Sequence, residues 1–168
     1  LQYSEKGTPL QYLHCLFVAS FSDDSSLQWQ QSWPVSSRGY GVAGMAGGIT
    51  VVAGMFDEDS LDLQLKSGEK ITLSYYPSYD VAKNCICAYG PEGEMLWVRQ
   101  LVGVDDVRLA AAPDGSRFYA FGTFYEKLLL LDINGRRSIE RTVDGVFVGF
   151  SPENAAVLAF DAAGKFLW

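Results

Sequence analysis

The sequence predicts an all-β protein, a β-propeller or partial propeller of about 3.5–4 four-stranded blades, one of which carries a β-hairpin insertion. Three observations predict it. The stretch Tyr89-Gly90-Pro91-Glu92-Gly93-Glu94-Met95-Leu96-Trp97 is echoed upstream, at an offset of 68, by Phe21-Ser22-Asp23-Asp24-Ser25-Ser26-Leu27-Gln28-Trp29. Short runs of β-branched and aromatic residues are punctuated by Gly, Asn, Asp and Pro, the residues that tight turns require. No window of 12 or more residues holds the i, i+3, i+4, i+7 apolar pattern of a helix without Gly or Pro.

The first echo runs ungapped from Phe21 to Phe56 and also pairs Ala53-Gly54-Met55-Phe56 with Phe121-Gly122-Thr123-Phe124. A second echo, downstream of the reference stretch at an offset of 42, is Leu131-Asp132-Ile133-Asn134-Gly135. A third, at offset 39, pairs Ala112-Pro113-Asp114-Gly115 and the run to Phe121 with Ser151-Pro152-Glu153-Asn154 and the run to Phe160. A period near 40 lies in the range of propeller blades, about 40–50 residues each. The unit spanned by the offset of 68 then reads as one blade plus about 26 inserted residues.

In chain order, residues 1–11 are polar with Gly7 and Pro9, and read as a linker. Residues 12–41 read as half a blade: strands at Tyr12–Phe21 and Leu27–Trp33 around the turn Asp23-Asp24-Ser25-Ser26. Residues 42–102 read as a blade with an insertion at 58–83. Val42–Ala46 and Ile49–Phe56 are small-residue strands joined by Gly47-Gly48, a pair suited to positive φ. In the insertion, Leu61, Leu63 and Leu65 alternate with Asp62 and Gln64, and Ile71, Leu73 and Tyr75 alternate with Thr72 and Ser74. With Lys66-Ser67-Gly68-Glu69 between them they predict a hairpin with one buried face. Ala82–Tyr89 and Glu94–Leu101 form the reference hairpin.

Residues 103–143 read as a regular blade, with strands at Val107–Ala112, Arg117–Phe124, Lys127–Asp132 and Arg137–Val143 and a short link at Tyr125-Glu126. Residues 144–168 read as an incomplete blade with strands at Val146–Phe150, Ala156–Phe160 and Lys165–Trp168. Roughly three and a half blades leave open edges, because propellers carry about 4–8 blades. Two alternatives remain: a compact four-bladed ring, or part of a larger propeller finished by a partner or a further segment, the second being favoured. The first residue is Leu1, which fits processing or a partial chain.

Composition excludes some classes. The net charge of −7 repels phosphate backbones and argues against nucleic acid as a partner. No run of about 18 apolar residues is present, so no helical transmembrane segment is expected. Leu13–Ala19 could be read as a signal h-region, but the offset of 68 matches Phe17 and Ala19 to Cys85 and Cys87 and favours a strand.

The stretch Gly48–Phe56, an acidic spacer, Tyr79-Asp80-Val81-Ala82-Lys83 and Gly90–Trp97 together resemble the SBBP-type seven-bladed propeller repeat of bacterial surface proteins. Ala112-Pro113-Asp114-Gly115 and Leu131–Gly135 are similar to turns of YVTN, PQQ-like and WD-repeat propellers. The resemblance spans about residues 12–168. No Gly-His or Trp-Asp signature is present, and no tryptophan-docking repeat is evident. The resemblance implies a secreted or envelope-bound bacterial binding or scaffold module, with a cytoplasmic location as the alternative.

Candidate sites are few. His14, Cys15, Cys85 and Cys87 are the soft metal ligands, but their spacing is not that of a zinc site, and the cysteines read as buried thiols. Asp57, Glu58, Asp59 and Asp62 cluster where the insertion begins. Asp57, Asp59 and Asp62 are the Ca²⁺ candidates, without the EF-hand pattern, and read otherwise as a solvated loop. A Ser-His-Asp arrangement would need His14, and no G-x-S-x-G elbow is present, so no catalysis and no cofactor are expected. Trp33, Tyr40, Tyr75, Tyr76, Tyr79 and Tyr125 fall near strand ends and loops and are the interaction candidates. The expected function is non-catalytic protein binding or scaffolding within a larger propeller or assembly. The alternative is a carbohydrate-binding lectin, or part of a propeller enzyme, with its site in residues 57–79.

Overall fold

The computed structural model describes residues 15–74, 83–131, 137–142 and 154–168. The fold is all-β, built on one curled, half-barrel sheet. Its strands are β3 (Ser37–Gly44), β4 (Thr50–Phe56), β7 (Asn84–Tyr89), β8 (Met95–Ala111), β9 (Arg117–Leu131), β10 (Arg137–Thr142) and β11 (Asn154–Asp161). The sheet order is β10-β9-β8-β7-β4-β3, with β11 also paired to β9. Two hairpins stand outside it: β1 (Phe17–Phe21) with β2 (Leu27–Ser32), and β5 (Ser60–Gln64) with β6 (Lys70–Ser74).

The turn residues act as the sequence requires. Gly47 and Gly48 both take φ of 75° between β3 and β4, and Met45 N donates to Ile49 O. Gly93 (φ 83°) closes the β7–β8 turn and Gly115 (φ 64°) the β8–β9 turn. The alternating leucines of the insertion form β5–β6, with Leu61, Leu63, Ile71 and Leu73 buried and Asp62, Gln64 and Thr72 exposed.

Two expected breaks are absent. Glu94–Leu101 and Val107–Ala112 merge into the 17-residue β8. Arg117–Phe124 and Lys127–Asp132 merge into the 15-residue β9, so no hairpin forms at Tyr125-Glu126. The reason is local chemistry. Val102, Val104 and Val107 favour extended backbone, and Tyr125-Glu126 offers neither Gly nor Pro nor Asn to reverse the chain. Instead β8 bends, with register shifts between Val102 and Val104 and between Asp105 and Arg108. Gly103 (φ 79°) and Asp106 (φ 50°) supply the left-handed residues at these two bulges. The curl brings the edge strand β3 back onto the far half of β8, where Arg108 Nη1 donates to the Tyr40 carbonyl at 3.2 Å.

The pairing groups most of the described strands into two sets, termed units. The first is the four-strand meander β3, β4, β7 and the first part of β8. The second is the far half of β8, the first half of β9, then β11, closed by a bridge between Phe160 and Phe166. β11 pairs with Arg117–Phe124, so strands that the sequence reading assigned to 103–143 and 144–168 are neighbours in one sheet. Each unit carries a hairpin between its second and third strands, β5–β6 in one and β9–β10 in the other. β1–β2 is a separate hairpin whose residues align with those of β7 and β8 at the offset of 68.

Two cores follow from this stacking. One face of β4 and β7 gives Val52, Phe56, Cys85, Cys87 and Tyr89 to a core covered by Trp29 and Trp33 and by the leucines of β5–β6. The other face gives Val51, Ala53, Ile86 and Ala88 to a core shared with Phe118, Phe124, Leu158 and Phe160 of the second unit. Period-two alternation thus sends successive residues of one strand into different cores.

Candidate functional site

Among the described residues a polar cleft and a pair of tryptophan–glycine contacts between units carry recognisable chemistry.

The cleft, about 400 Å³, lies between the end of β2, the β5–β6 hairpin and the β7–β8 turn. Gln31, Ser32 and Pro34 form one wall and Asp62, Gln64 and Lys66 the other, with Glu94 at the turn. Lys66 Nζ meets Glu94 Oε1 at 2.7 Å, and this hydrogen bond holds the Glu94 carboxyl below its ordinary range and the Lys66 ammonium above its own. Asp62 accepts from Thr72 Oγ1 at 2.7 Å. Trp33 and Tyr89 lie beneath, both buried, and Trp33 Nε1 donates to the Tyr89 hydroxyl at 3.1 Å. Burial drives the Tyr89 phenol well above its ordinary range. Both carboxylates of the cleft are thus already engaged, and the surface presents amides, a hydroxyl and one ion pair to a ligand.

The unit contacts rest on two glycines. Gly93 at φ 83° sits under the Trp29 ring, where a Cβ would lie 2.8 Å from Trp29 Cγ. Gly164 at φ 73° sits under Trp97, where a Cβ would lie 2.6 Å from Cδ2. The residue two places after each tryptophan completes the contact. Gln31 Nε2 donates to Gly93 O at 3.0 Å, and Arg99 Nε donates to Gly164 O at 3.0 Å. Trp97 Nε1 also donates to Ala162 O at 3.0 Å. These two contacts were not read from the sequence. The missed signal was Gly164-Lys165-Phe166-Leu167-Trp168, which repeats the spacing of Gly93-Glu94-Met95-Leu96-Trp97 at an offset of 71 rather than 68.

The predicted residues are distributed as follows. Trp33 is a core residue whose edge meets the cleft. Tyr40 is partly buried on β3, its hydroxyl against Met55 Sδ at 3.4 Å and the Arg108 guanidinium 5.8 Å from its ring centre. Desolvation, then the charge of Asp105, raises its phenol above the ordinary value. Tyr75, Tyr76, Tyr79 and His14 lie outside the described residues, as does the side chain of Tyr125. Asp57 accepts from Ser36 Oγ at 2.9 Å, Asp59 faces Lys83 Nζ at 3.5 Å, and Asp62 turns to Thr72. Lys83 also donates to the carbonyls of Asp57 and Glu58, so an ammonium occupies the centre of this loop. Among the described residues no three Asp, Glu, His or Cys groups come together as a metal site. Cys85 and Cys87 are buried free thiols, whereas Cys15, expected to be buried, is exposed. Burial pushes the Cys87 thiol up to about 12 and raises Cys85 as well.

No family model matches the chain, and no curated protein matches it. A crystal structure of a protein of unknown function from Bacteroides caccae is similar over 88% of this chain and 72% of its own, at 13% identity and a TM-score of 0.25.

Proposed function

We propose that this chain is a non-catalytic protein-binding or scaffold module whose repeated units are blades of a β-propeller belonging to a larger propeller or assembly. The observation that carries the reading is the docking of Trp29 on Gly93 and Trp97 on Gly164, one lock per junction between successive units. The same contact at both junctions supports the reading of the stacking as a repeat, and stacked units with exposed apolar faces invite association. An extracellular or cell-envelope setting goes with the resemblance to bacterial surface repeats. The test is the native mass of the purified chain by light scattering, with an apolar dye as a second readout. A mass above 18.5 kDa, or saturable dye uptake, supports the reading. A monodisperse monomer that takes up no dye refutes it, as does turnover of a substrate by the isolated chain.

A second reading, a carbohydrate-binding module, is favoured by the cleft, whose wall is the β5–β6 hairpin within residues 57–79. Its amides and carboxylates suit hydroxyl recognition, although the aromatic rings beneath are buried and offer no stacking face. A glycan array probed with the chain at high concentration tests it, and a blank array rejects it.

A further inference from the structure

The exposed face of the second unit repeats, position for position, a face that is covered in the first. Val51, Ala53, Ile86 and Trp97 of the first unit are 0%, 0%, 0% and 8% exposed beneath the second unit. At offsets of 68 and 71 the equivalent residues are Tyr119, Phe121, Val157 and Trp168. The last three are 40%, 45% and 58% exposed, and the Tyr119 and Trp168 rings sit 6.1 Å apart. Trp168 therefore stands where Trp29 and Trp97 stand in their units, and among the described residues no glycine turn lies against it.

The other end of the stack shows the opposite face. Phe17, Phe21 and Leu27 are 62%, 62% and 50% exposed, and they match the covered Cys85, Tyr89 and Met95 at the offset of 68. The turn at that end has the hydrogen bonds of the docking turns. Ser25 N donates to Ser22 O at 2.9 Å, as Gly93 N does to Gly90 O and Gly164 N to Asp161 O, each at 3.0 Å. Ser25 also has a positive φ, 66°. It differs in carrying a Cβ, and a Cβ at the equivalent Gly93 would lie 2.8 Å from the docked indole.

We infer that the face formed by Tyr119, Phe121, Val157 and Trp168 is a docking surface for a further unit of this same repeat, one whose last turn holds a positive-φ glycine to receive the Trp168 indole. The occupant is a β-sheet unit with an apolar face, and its glycine distinguishes it from a second copy of this chain, whose corresponding turn carries Ser25. The argument is continuity with the two unit junctions already present. It rests on the reading of the chain as stacked propeller units.

Ser25→Gly turns the full-length chain into a supply of the missing partner, because it removes the blocking Cβ at a φ that glycine tolerates. Sedimentation velocity across a concentration series should show the Ser25→Gly chain associating head to tail at least about tenfold more tightly than the wild type. Adding Trp168→Ala to it should return the chain to wild-type behaviour. Equal association of wild type and Ser25→Gly overturns the inference, and so does association that survives Trp168→Ala. Wild-type association that Trp168→Ala leaves unchanged would reject this face while leaving the assembly reading in place. A wild type that is monomeric and binds no dye, beside a Ser25→Gly chain that associates through Trp168, would do the reverse.

Discussion

Replacing Gly93 by alanine tests the tryptophan–glycine lock and separates its two parts. The first part is backbone strain. A residue with a Cβ held in the left-handed region costs about 1–2 kcal/mol, and Gly93 sits at φ 83°. The second part is contact. The new Cβ would lie 2.8 Å from Trp29 Cγ and 2.9 Å from its Cβ and Cδ2. Such overlap displaces the indole or the turn, at about 1–3 kcal/mol. Gly68, in the β5–β6 turn, supplies the control. Its φ is 86°, and a Cβ there meets nothing within 4 Å. Gly68→Ala should therefore lose only the backbone part, about 1–2 kcal/mol, and Gly93→Ala about 2–5 kcal/mol. Equilibrium unfolding in urea reads the difference. With a slope of about 2 kcal/mol per molar, an excess of about 2 kcal/mol lowers the midpoint by about 1 M relative to Gly68→Ala. In a Trp29→Ala background the excess should disappear, because the overlapping ring is gone. Gly164→Ala should behave like Gly93→Ala, with Trp97 as its partner. If Gly93→Ala and Gly68→Ala unfold at the same midpoint, the indole is not seated on the glycine and the argument from repeated locks fails.

The thiols give a second test: a thiol reagent should find one group, Cys15, in the native chain and three in denaturant, and rapid native labelling of Cys85 or Cys87 would contradict their burial. Alkaline stability follows with a definite sign. The folded thiol of Cys87 is pushed up to about 12 from an ordinary 9.0, so the unfolded state loses its proton first. Its stability contribution is complete below pH 9.0 and falls as pH rises toward 12, by about 1.4 kcal/mol per unit, with Cys85 and then Tyr89 adding to the loss. The urea midpoint should drop from pH 8.5 to 10.5, less steeply in Cys87→Ala, and a flat profile would count against this account. Arg108→Ala removes a cation–π contact and a hydrogen bond to the Tyr40 carbonyl, for a loss of about 1 kcal/mol; an unchanged thermal midpoint would mean that the β3–β8 closure does not depend on it. Asn84 is fully buried, with its amide nitrogen donating to Val104 O and its Oδ1 unpartnered. Asn84→Asp replaces that donor by a buried carboxylate facing a carbonyl and should cost about 3 kcal/mol or more at pH 7. Burial raises the folded pKa of such a carboxyl, so the penalty grows as pH rises above about 4 and shrinks on acidification; an equal deficit at pH 4 and pH 7 would be inconsistent with it.

Much of this architecture was written in the turn residues. Gly47-Gly48, Gly93, Gly115 and the Asp23–Ser26 turn all sit where the chain reverses. The alternating leucines of β5–β6 were as legible, because a period of two with one apolar side leaves little freedom of register. Unit length was harder to read. The segments of β5–β6 and β9–β10 resemble the other hairpins of the chain, so the echoes at offsets near 40 drew attention away from those at 68 and 71. The second echo of the tryptophan turn falls at an offset of 71 because the inserted segment of the second unit is longer, and an ungapped comparison at 68 passes over it. The long strands were missed although Val102, Val104 and Val107 favour extended backbone and Tyr125-Glu126 lacks a turn residue, because the pairing of β8 with β9 and of β9 with β10 that keeps them continuous is not visible in the sequence. Trp33 was expected at a surface. A tryptophan at a strand end has no burial signal of its own, and the Tyr89 hydroxyl, the Leu16 carbonyl and the glycine at Gly54 that place it inward are not visible in the sequence.

The two cores differ in a way that bears on how the stack ends. The core between the units is closed on both sides by meanders that include Phe118, Leu158 and Phe160 opposite Val51, Ala53 and Ile86. Among the described residues the other core has the ribbon β1–β2 on its far side, and two strands cannot cover a four-stranded face. The β5–β6 hairpin makes up the deficit, placing Leu61, Leu63, Leu65, Ile71 and Leu73 against Phe56, Cys85 and Cys87. An inserted hairpin with one leucine face is therefore a cover for a unit junction before it is a binding loop. The cleft arises where that cover stops short of the β7–β8 turn, and its polar wall is the solvent face of the same alternation that buries the leucines. The equivalent hairpin of the second unit includes the last residues of β9, where Leu128, Leu129, Leu130 and Leu131 are buried in succession. A run buried on both sides of its strand belongs inside a sheet, as β9 is between β8 and β10. The two hairpins thus follow positions that align at the offset of 68, Phe56 and Phe124, and differ in sequence pattern: strict alternation yields a separate cap, and a continuous leucine run extends the central sheet.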